Sequence, residues 1–338
     1  MLKSHYFIEE FYRNGRGIVA DLWTTRYTEM KSIYLPVPTI EEQDQIVRFL
    51  DWKLAKINKL IRAKKKQIAL LNEQKQVIIN HAVTKGLDPN VPMKDSGIEG
   101  LGNIPSTWKV KPLKYWAKSN LRSLNGSTDP AFEFDYLDIS SVGFGFVKQE
   151  PVNYRFDESP SRARRIVKYG DTIISTVRTY LRSMCFVDHD IEHCIVSTGF
   201  SVLTPVNDSV LPEILSFALS SDYFVNAVIK NSIGISYPAI SDKKLLSLKL
   251  ALPTTIKEQL ELFNEIKAKT ILLDKCILSI KQQVFHLYEY RTRLISDVVT
   301  GKVDVRGINV PEFEYVEESI GEDGTEEAVA EMCETEEE

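Results

Sequence analysis

Seven basic side chains crowd the stretch 155–182: Arg155, Arg162, Arg164, Arg165, Lys168, Arg178 and Arg182, against Asp157, Glu158 and Asp171. Guanidinium groups neutralise phosphates, and one in the plane of a guanine edge bonds it through two donors, worth about 1–3 kcal/mol of discrimination. In "VRTYLRS" the residues Arg178, Tyr180 and Arg182 alternate, which in a strand puts all three on one face. Further on, "NSIGISYPAIS" offers Ser236 and Tyr237 on a loop marked by Gly and Pro. The candidate contacts to double-stranded DNA are therefore Arg162, Arg164, Arg165, Arg178, Tyr180, Arg182, Ser236 and Tyr237. The alternative reading of the same residues is a solvated basic face.

Catalytic patterns are weak by comparison. "DPAF" at 129–132 has the acid, proline and aromatic of an amino-methyltransferase motif but lacks its second proline, and no Gly-rich cofactor loop precedes it, so it reads as a turn. No phosphate-binding P-loop is present, which argues against an ATPase. Cys185, His189, His193 and Cys194 carry ligating atoms, but no paired CxxC spacing supports zinc. No catalytic residue, metal or cofactor is assigned.

Charge supports a polyanion partner once its distribution is considered. The 338 residues carry 42 Lys or Arg against 47 Asp or Glu, a net charge of -5. Thirteen of the acids lie in 312–338, where there is no Lys or Arg; the rest of the chain holds 42 basic against 34 acidic residues, about +8. A hydrophobic content of 43% with 26% charged residues is that of a globular protein. No apolar run is long enough to span a membrane, no signal peptide is evident, and four cysteines suit a reduced, cytoplasmic chain better than a disulfide framework.

A basic strip needs a scaffold, and the scaffold is written twice. "PTIEEQ" opens one long stretch free of Gly and Pro, and "TTIKEQ" opens another. Setting 39–88 over 255–304 at a constant offset of 216 matches fifteen of fifty positions without a gap. Unrelated helices would match at about one position in twelve, so this is a duplication. Thr39 and Thr255 stand three residues before Glu42 and Glu258, a capping-box spacing, and Gly86 and Gly301 follow the last turns.

The apolar positions run Leu50, Leu54, Ile57, Ile61, Lys64, Ile68, Leu71, Lys75, Ile78, Ala82 in the first copy. In the second they run Ile266, Thr270, Leu273, Ile277, Ile280, Val284, Leu287, Arg291, Leu294, Val298. Both follow a 4-3 spacing, the seam of a left-handed coiled coil, and such a stripe requires a partner of similar length. The other copy is the candidate.

The residues between the helices read as one compact α+β domain. "FEFDYLDISSV", "DTIISTVR", "RSMCFV" and "IVSTGFSVLTP" are strand-like, and "PEILSFALSSDYFVNAVIKN" reads as an amphipathic helix beginning at Pro212. "SIGISYPAISDKKLLSLKLALP" reads as a loop, a short helix and a final strand. The segment 17–38 echoes only that ending: Ile33, Leu35, Val37 and Pro38 align with Leu248, Leu250, Leu252 and Pro253.

Taken together, "LPVPTIEEQ" and "LALPTTIKEQ" before the helices, "MKDSGIEGLGNIPSTWKVKPLKY", "YGDTIISTVRTYL", "VSTGFSVLTP", and "VTKGLD" and "VTGKVDVR" after the helices resemble the specificity (S) subunit of type I restriction-modification systems. That family alternates two target-recognition domains with two long helices, and the likeness covers nearly all of the chain except the acidic tail. It implies an α+β fold in which a globular recognition domain is carried by an antiparallel coiled coil.

The expected boundaries are a remnant of a first recognition domain at 1–38, the first helix at 39–88, a linker at 89–107, the second recognition domain at 108–253, the second helix at 254–304 and an acidic disordered tail at 305–338. By the same resemblance the chain is non-catalytic and binds duplex DNA and methyltransferase (M) subunits, with restriction (R) subunits held through M. The reduced first domain implies a second copy or a separately encoded fragment in its place. Two rival readings are a coiled-coil adaptor for proteins and an inactive S fragment that serves as a recombination partner.

Overall fold

The computed structural model describes residues 5–16, 24, 26–189, 191–206 and 209–313. The chain forms two compact units, Met1–Leu70 with Cys276–Glu338, and Leu71–Lys275. Two long helices contribute to both. Among the described residues no helix is long and apolar enough to cross a membrane.

The first unit begins with α1 (His5–Arg13) and α2 (Tyr27–Met30), followed by an extended stretch and the start of α3 (Ile40–Lys85). Of the apolar residues near the start, Phe7 is buried beside Phe11, while Tyr6, Ile8 and Tyr12 are exposed; Leu22 and Trp23 lie outside the described residues. Phe49, Leu50, Ile57 and Ile61 of α3 pack with Val284, Leu294 and Val298 of the last helix. The beginning of one helix thus meets the end of the other, so the pair is antiparallel. All twenty seam positions are buried or half-buried, the polar ones included.

The end of that pair is closed by a segment that the sequence assigned to a disordered tail. Val305 and Val310 are buried in the same cluster, with Ile308 packed against it. Gln45 Nε2 donates to the carbonyls of Val305 (2.9 Å) and Ile308 (2.7 Å). The boundary at 305 is therefore too early: three apolar residues between Asp304 and Glu312 are enough to hold the chain on the helices. The remainder of the expected tail, from 314 on, lies outside the described residues.

In the second unit, α3 ends at Gly86, whose φ of +76° is the left-handed cap expected of it; Gly301 does the same at +78° after the other helix. The stretch read as a linker is packed. It forms β1 (Met93–Asp95) and β2 (Asn103–Pro105), buries Leu101 and Ile104 in the main core, and gives the carbonyls of Leu101 and Asn103 to Lys85 Nζ.

The domain proper then runs β3 (Lys109–Pro112), β4 (Ala117–Ser119), β5 (Glu133–Leu137), β6 (Val152–Arg155), β7 (Ala163–Ile166), β8 (Thr172–Ser175), β9 (Met184–Phe186), β10 (Cys194–Ser197) and β11 (Phe200–Pro205). After these come α4 (Pro212–Leu219), α5 (Asp222–Lys230), α6 (Asp242–Ser247), β12 (Lys249–Leu252) and α7 (Ile256–Val299).

Two four-stranded sheets, β6-β5-β10-β7 and β4-β11-β8-β9, carry the domain; β12 pairs with β3 and β1 with β2. β5 and β10 run parallel and every other pairing is antiparallel. Leu137, Val167, Val196, Phe200 and Val202 belong to one apolar cluster of the strands. A larger one gathers Trp108, Leu113, Ile214, Phe224, Leu250, and Ile79 and Ile266 from the long helices.

Two sequence expectations change. "IVSTGFSVLTP" is two strands, because Thr198 and Gly199 turn the chain, and a side chain at Gly199 would strike Ile139. The helix read at 212–231 breaks at Ser220 and Ser221, where Ser221 Oγ donates to the Ala218 carbonyl. Asn80 of α3 accepts from the Asp222 N–H at 3.0 Å and so caps the new helix from outside its own sequence.

The repeated phrase is a joint. Thr39 and Thr255 accept hydrogen bonds from the Glu42 and Glu258 N–H groups at 3.4 and 3.3 Å, as the capping spacing predicts. At the second helix, Glu258 also accepts from Trp108 Nε1 (2.8 Å) and Thr107 Oγ1 (3.2 Å), locking the opening of the domain to α7. Gln259 is completely buried: its Oε1 accepts from Leu211 N (2.8 Å), and its Nε2 donates to the carbonyls of Ser209 (3.0 Å) and Pro253 (3.1 Å). At the first helix Gln43 is exposed and makes one such bond, to the Pro38 carbonyl at 2.9 Å.

Candidate nucleic-acid interface

Arg178, Tyr180 and Arg182 are not on a strand. β8 ends at Ser175, and a single turn of 3-10 helix, Thr179–Leu181, follows, with Arg178 (φ +50°) and Arg182 (φ +54°) left-handed on either side. Left-handed backbone is uncommon for a long side chain and is held only where its surroundings impose it. Here Leu181 N donates to Arg178 O (2.9 Å), Arg182 N to Thr179 O (3.0 Å), and Ser175 Oγ to Val177 O (2.6 Å). The turn leaves Arg178, Tyr180, Leu181 and Arg182 exposed while Thr179 is buried beneath them.

The loop carrying Ser236 and Tyr237 is joined to this turn. Thr179 Oγ1 and Ser232 Oγ lie 2.8 Å apart, Ile240 N donates to Thr176 O at 2.9 Å, and Val177 bridges Ala239. The Arg178 guanidinium stands 4.7 Å from the Tyr237 ring centroid, a cation–π distance. The segments 176–182 and 232–240, distant in sequence, thus make one surface exposing Arg178, Tyr180, Arg182, Ser236 and Tyr237 together. Ile233 and Ile235, which the sequence reading passed over, stand exposed on the same loop. Apolar residues on either side of a glycine in a polar loop were the available signal.

The other arginines divide. Arg162 is exposed, and its carbonyl accepts from Thr198 N (2.8 Å); the neighbouring Gly199 carbonyl accepts from Thr176 N (2.8 Å), so one turn connects Arg162 to the base of the arginine turn. Arg164 lies with its guanidinium 4.7 Å from the Phe156 ring centroid and donates to the Ala163 carbonyl at 2.7 Å. Arg165 is half-buried, its Nε enclosed without a hydrogen-bond partner. Arg155 pairs with Asp157 at 3.0 Å.

Of the three acids counted against the strip, Asp171 is withdrawn from it, while Asp157 and Glu158 are exposed. Asp171 is buried, pairs with Arg122, and accepts from Thr204 Oγ1 (2.6 Å) and Lys168 N (2.8 Å). A buried carboxylate with this many donors holds strands together and leaves the surface charge to the arginines. Among the described residues Arg162, Arg178 and Arg182 make no ion pair with a carboxylate.

The four possible zinc ligands do not converge. His189 pairs with Asp188, His193 meets Phe132 edge-on, and burial pushes the thiols of Cys185 and Cys194 up to about 11 and about 12.

No family model matches the chain. It is 26% identical over 289 residues to the MjaVIII type I restriction enzyme specificity subunit of Methanocaldococcus jannaschii, covering 82% of this chain and 64% of that protein. It is 25% identical over 289 residues to the MjaX specificity subunit of the same organism, with 61% of that protein covered. The HindI specificity subunit of Haemophilus influenzae is 28% identical over 155 residues, 43% of this chain and 33% of that protein. The chain therefore spans less than two thirds of the length of these curated relatives.

A chain from a solved type I restriction-modification system shares the fold, with a TM-score of 0.52 at 14% identity, covering 87% of this chain and 69% of that one. The chain is thus similar in sequence to the specificity subunits of type I restriction enzymes and in fold to a chain of a type I restriction-modification system.

Proposed function

We propose that the chain is a non-catalytic DNA-recognition subunit of a type I restriction-modification complex. The unit Leu71–Lys275 reads duplex DNA, M subunits dock on α3 and α7, and R subunits are held through M. The methyl donor, ATP and magnesium belong to those partners, and the assembly works in the cytoplasm.

The observation that carries the reading is the joined surface of 176–182 and 232–240, with exposed arginines, a tyrosine and a serine together and the local carboxylate buried away from them. Arginine neutralises phosphate and stacks on aromatic faces, and hydroxyl and phenol groups donate to base edges or phosphates.

The test is duplex binding by the full chain, alone and with M, across a salt series. Affinity should fall by about a thousandfold or more between 50 and 200 mM salt if six or more phosphates are neutralised. Arg178→Ala and Arg182→Ala should weaken a selected target more than random duplex. Equal losses on both would make them phosphate contacts, and no loss on either would remove them from the interface.

A second association follows from the unequal joints. Val37 is 82% exposed and Leu35 is half-buried, whereas their counterparts Leu252 and Leu250, on the strand next to β3, are buried. This stretch suits a strand and tryptophan like those of 108–112, supplied by a separately encoded domain or by a second copy. In a second copy these residues are already engaged by that copy's own Glu258.

A further inference from the structure

Ile235 is 102% exposed and Ile233 is 85% exposed, at the tip of a loop that is firmly held. Ile233 N donates to Ala239 O (2.8 Å) and Ala239 N to Ile233 O (2.9 Å), closing the loop at its neck. Gly234 turns the tip at φ +122°, where an added Cβ would stand 3.0 Å from the Tyr237 carbonyl oxygen. Ile240 is buried at the other end, and Ser232 is tied to Thr179. Single exposed apolar residues are ordinary on a surface; two on a braced tip, adjoining an arginine turn, are less so.

We infer that this loop is a wedge that inserts Ile235 between stacked base pairs of the bound duplex. The inference rests on the reading of the domain as a duplex binder and adds the way it deforms its target. Branched apolar side chains are used in this way by proteins that partly unstack a base step and kink the helix, with cationic residues beside the wedge holding the flanking phosphates. Arg178 stands against Tyr237 of the loop, Arg182 closes the turn tied to the loop's neck, and neither has a carboxylate partner among the described residues, so their charge is available to those phosphates. Tyr237, held against Arg178, offers a ring on which the unstacked base can rest.

The tie of the loop to the arginine turn, with Arg178 against Tyr237 and no carboxylate paired to Arg178 or Arg182 among the described residues, suits a polyanionic occupant. The wedge favours pyrimidine–purine steps, which unstack most easily, and so contributes to specificity without a hydrogen bond to a base.

Targets are first selected from a random duplex library with the full chain, with M present if the chain alone does not select. Duplexes of the selected sequence then carry 2-aminopurine at successive steps. The wild-type chain should raise the fluorescence at one step, and Ile235→Ala should abolish that rise while keeping the wild-type circular dichroism. The same substitution should cost about tenfold in affinity for the selected duplex, equivalent to about 1.4 kcal/mol, and under twofold for random duplex.

Fluorescence unchanged at every step, or an Ile235→Ala chain that selects the same sequence with the same affinity, overturns the wedge and leaves duplex binding intact. Ile235→Ala that impairs M association but not DNA binding overturns it in favour of protein docking. Absence of any salt-sensitive duplex binding removes both the wedge and the reading on which it rests.

Discussion

The duplicated phrase provides its own control experiment, because Gln43 and Gln259 occupy equivalent positions in opposite environments. Gln259→Leu keeps the side-chain volume roughly constant but deletes three hydrogen bonds. The Leu211 N–H, left without an acceptor, costs about 1–3 kcal/mol, and the Ser209 and Pro253 carbonyls add roughly 0.5–1.5 kcal/mol each. A buried leucine returns about 1–2 kcal/mol. The net loss spans about 0–5 kcal/mol with a midpoint of about 2.5 kcal/mol, or a fall in Tm of roughly 5–10 °C at that midpoint in a unit of this size. Gln43→Leu deletes one exposed bond to Pro38 and should cost under about 0.5 kcal/mol. Thermal and urea unfolding of the two variants measures the difference, and hydrogen exchange at the Leu211 amide reads it locally. Equal shifts in the two variants, or undiminished protection of Leu211 in Gln259→Leu, would refute the joint.

The seam gives a second prediction: replacing buried Ile61 and Ile277 by Asp places unpaired charge among apolar residues, so helicity and melting temperature should collapse, and full retention of both in the double variant would disprove the packing. Thiol chemistry gives a third. At pH 8 the exposed Cys276 should be alkylated before Cys185 and Cys194, whose thiols burial holds near 11 and 12 and so keeps protonated, and peptide mapping by mass spectrometry would reveal the order.

The helices were legible because each carries its signal locally: a threonine cap, a 3.5-residue apolar period over ten positions, and a glycine able to take positive φ. The repeat made the pairing legible as well, since each stripe needed the other. What the sequence did not reveal depends on distant partners. The break between α4 and α5 is capped by Asn80 of α3, and its local signal, Ser221 followed by Asp222, lay inside an apolar period that runs on through it. Segment 305–310 was hidden by the acidic run behind it, though Val305, Ile308 and Val310 alternate among polar residues in the manner of a chain lying on an apolar surface.

At the candidate interface, the geometry was not legible. "VRTYLR" has the composition of a strand, and the left-handed backbone at both arginines is imposed by hydrogen bonds within the turn and by its tie to Ser232. Nor did the sequence reveal that the Arg164 guanidinium stands 4.7 Å from the Phe156 ring centroid.

The pairing of β3 with β12 sets Lys109 opposite Leu252 and Pro112 opposite Lys249, so the chain leaves the helical scaffold and returns to it through neighbouring strands. The strands between Pro112 and Pro205 are therefore framed by this pair of connectors, while α4 and α5 are seated directly on the long helices through Ile214, Phe224 and the Asn80 cap. Those strands can diverge or lengthen with the least disturbance to the helices where Trp108 still reaches Glu258, a backbone N–H still reaches Gln259, and α5 keeps its Asn80 cap. On the proposed reading, change in the strands and turns can alter what the domain binds while the faces of the long helices stay constant.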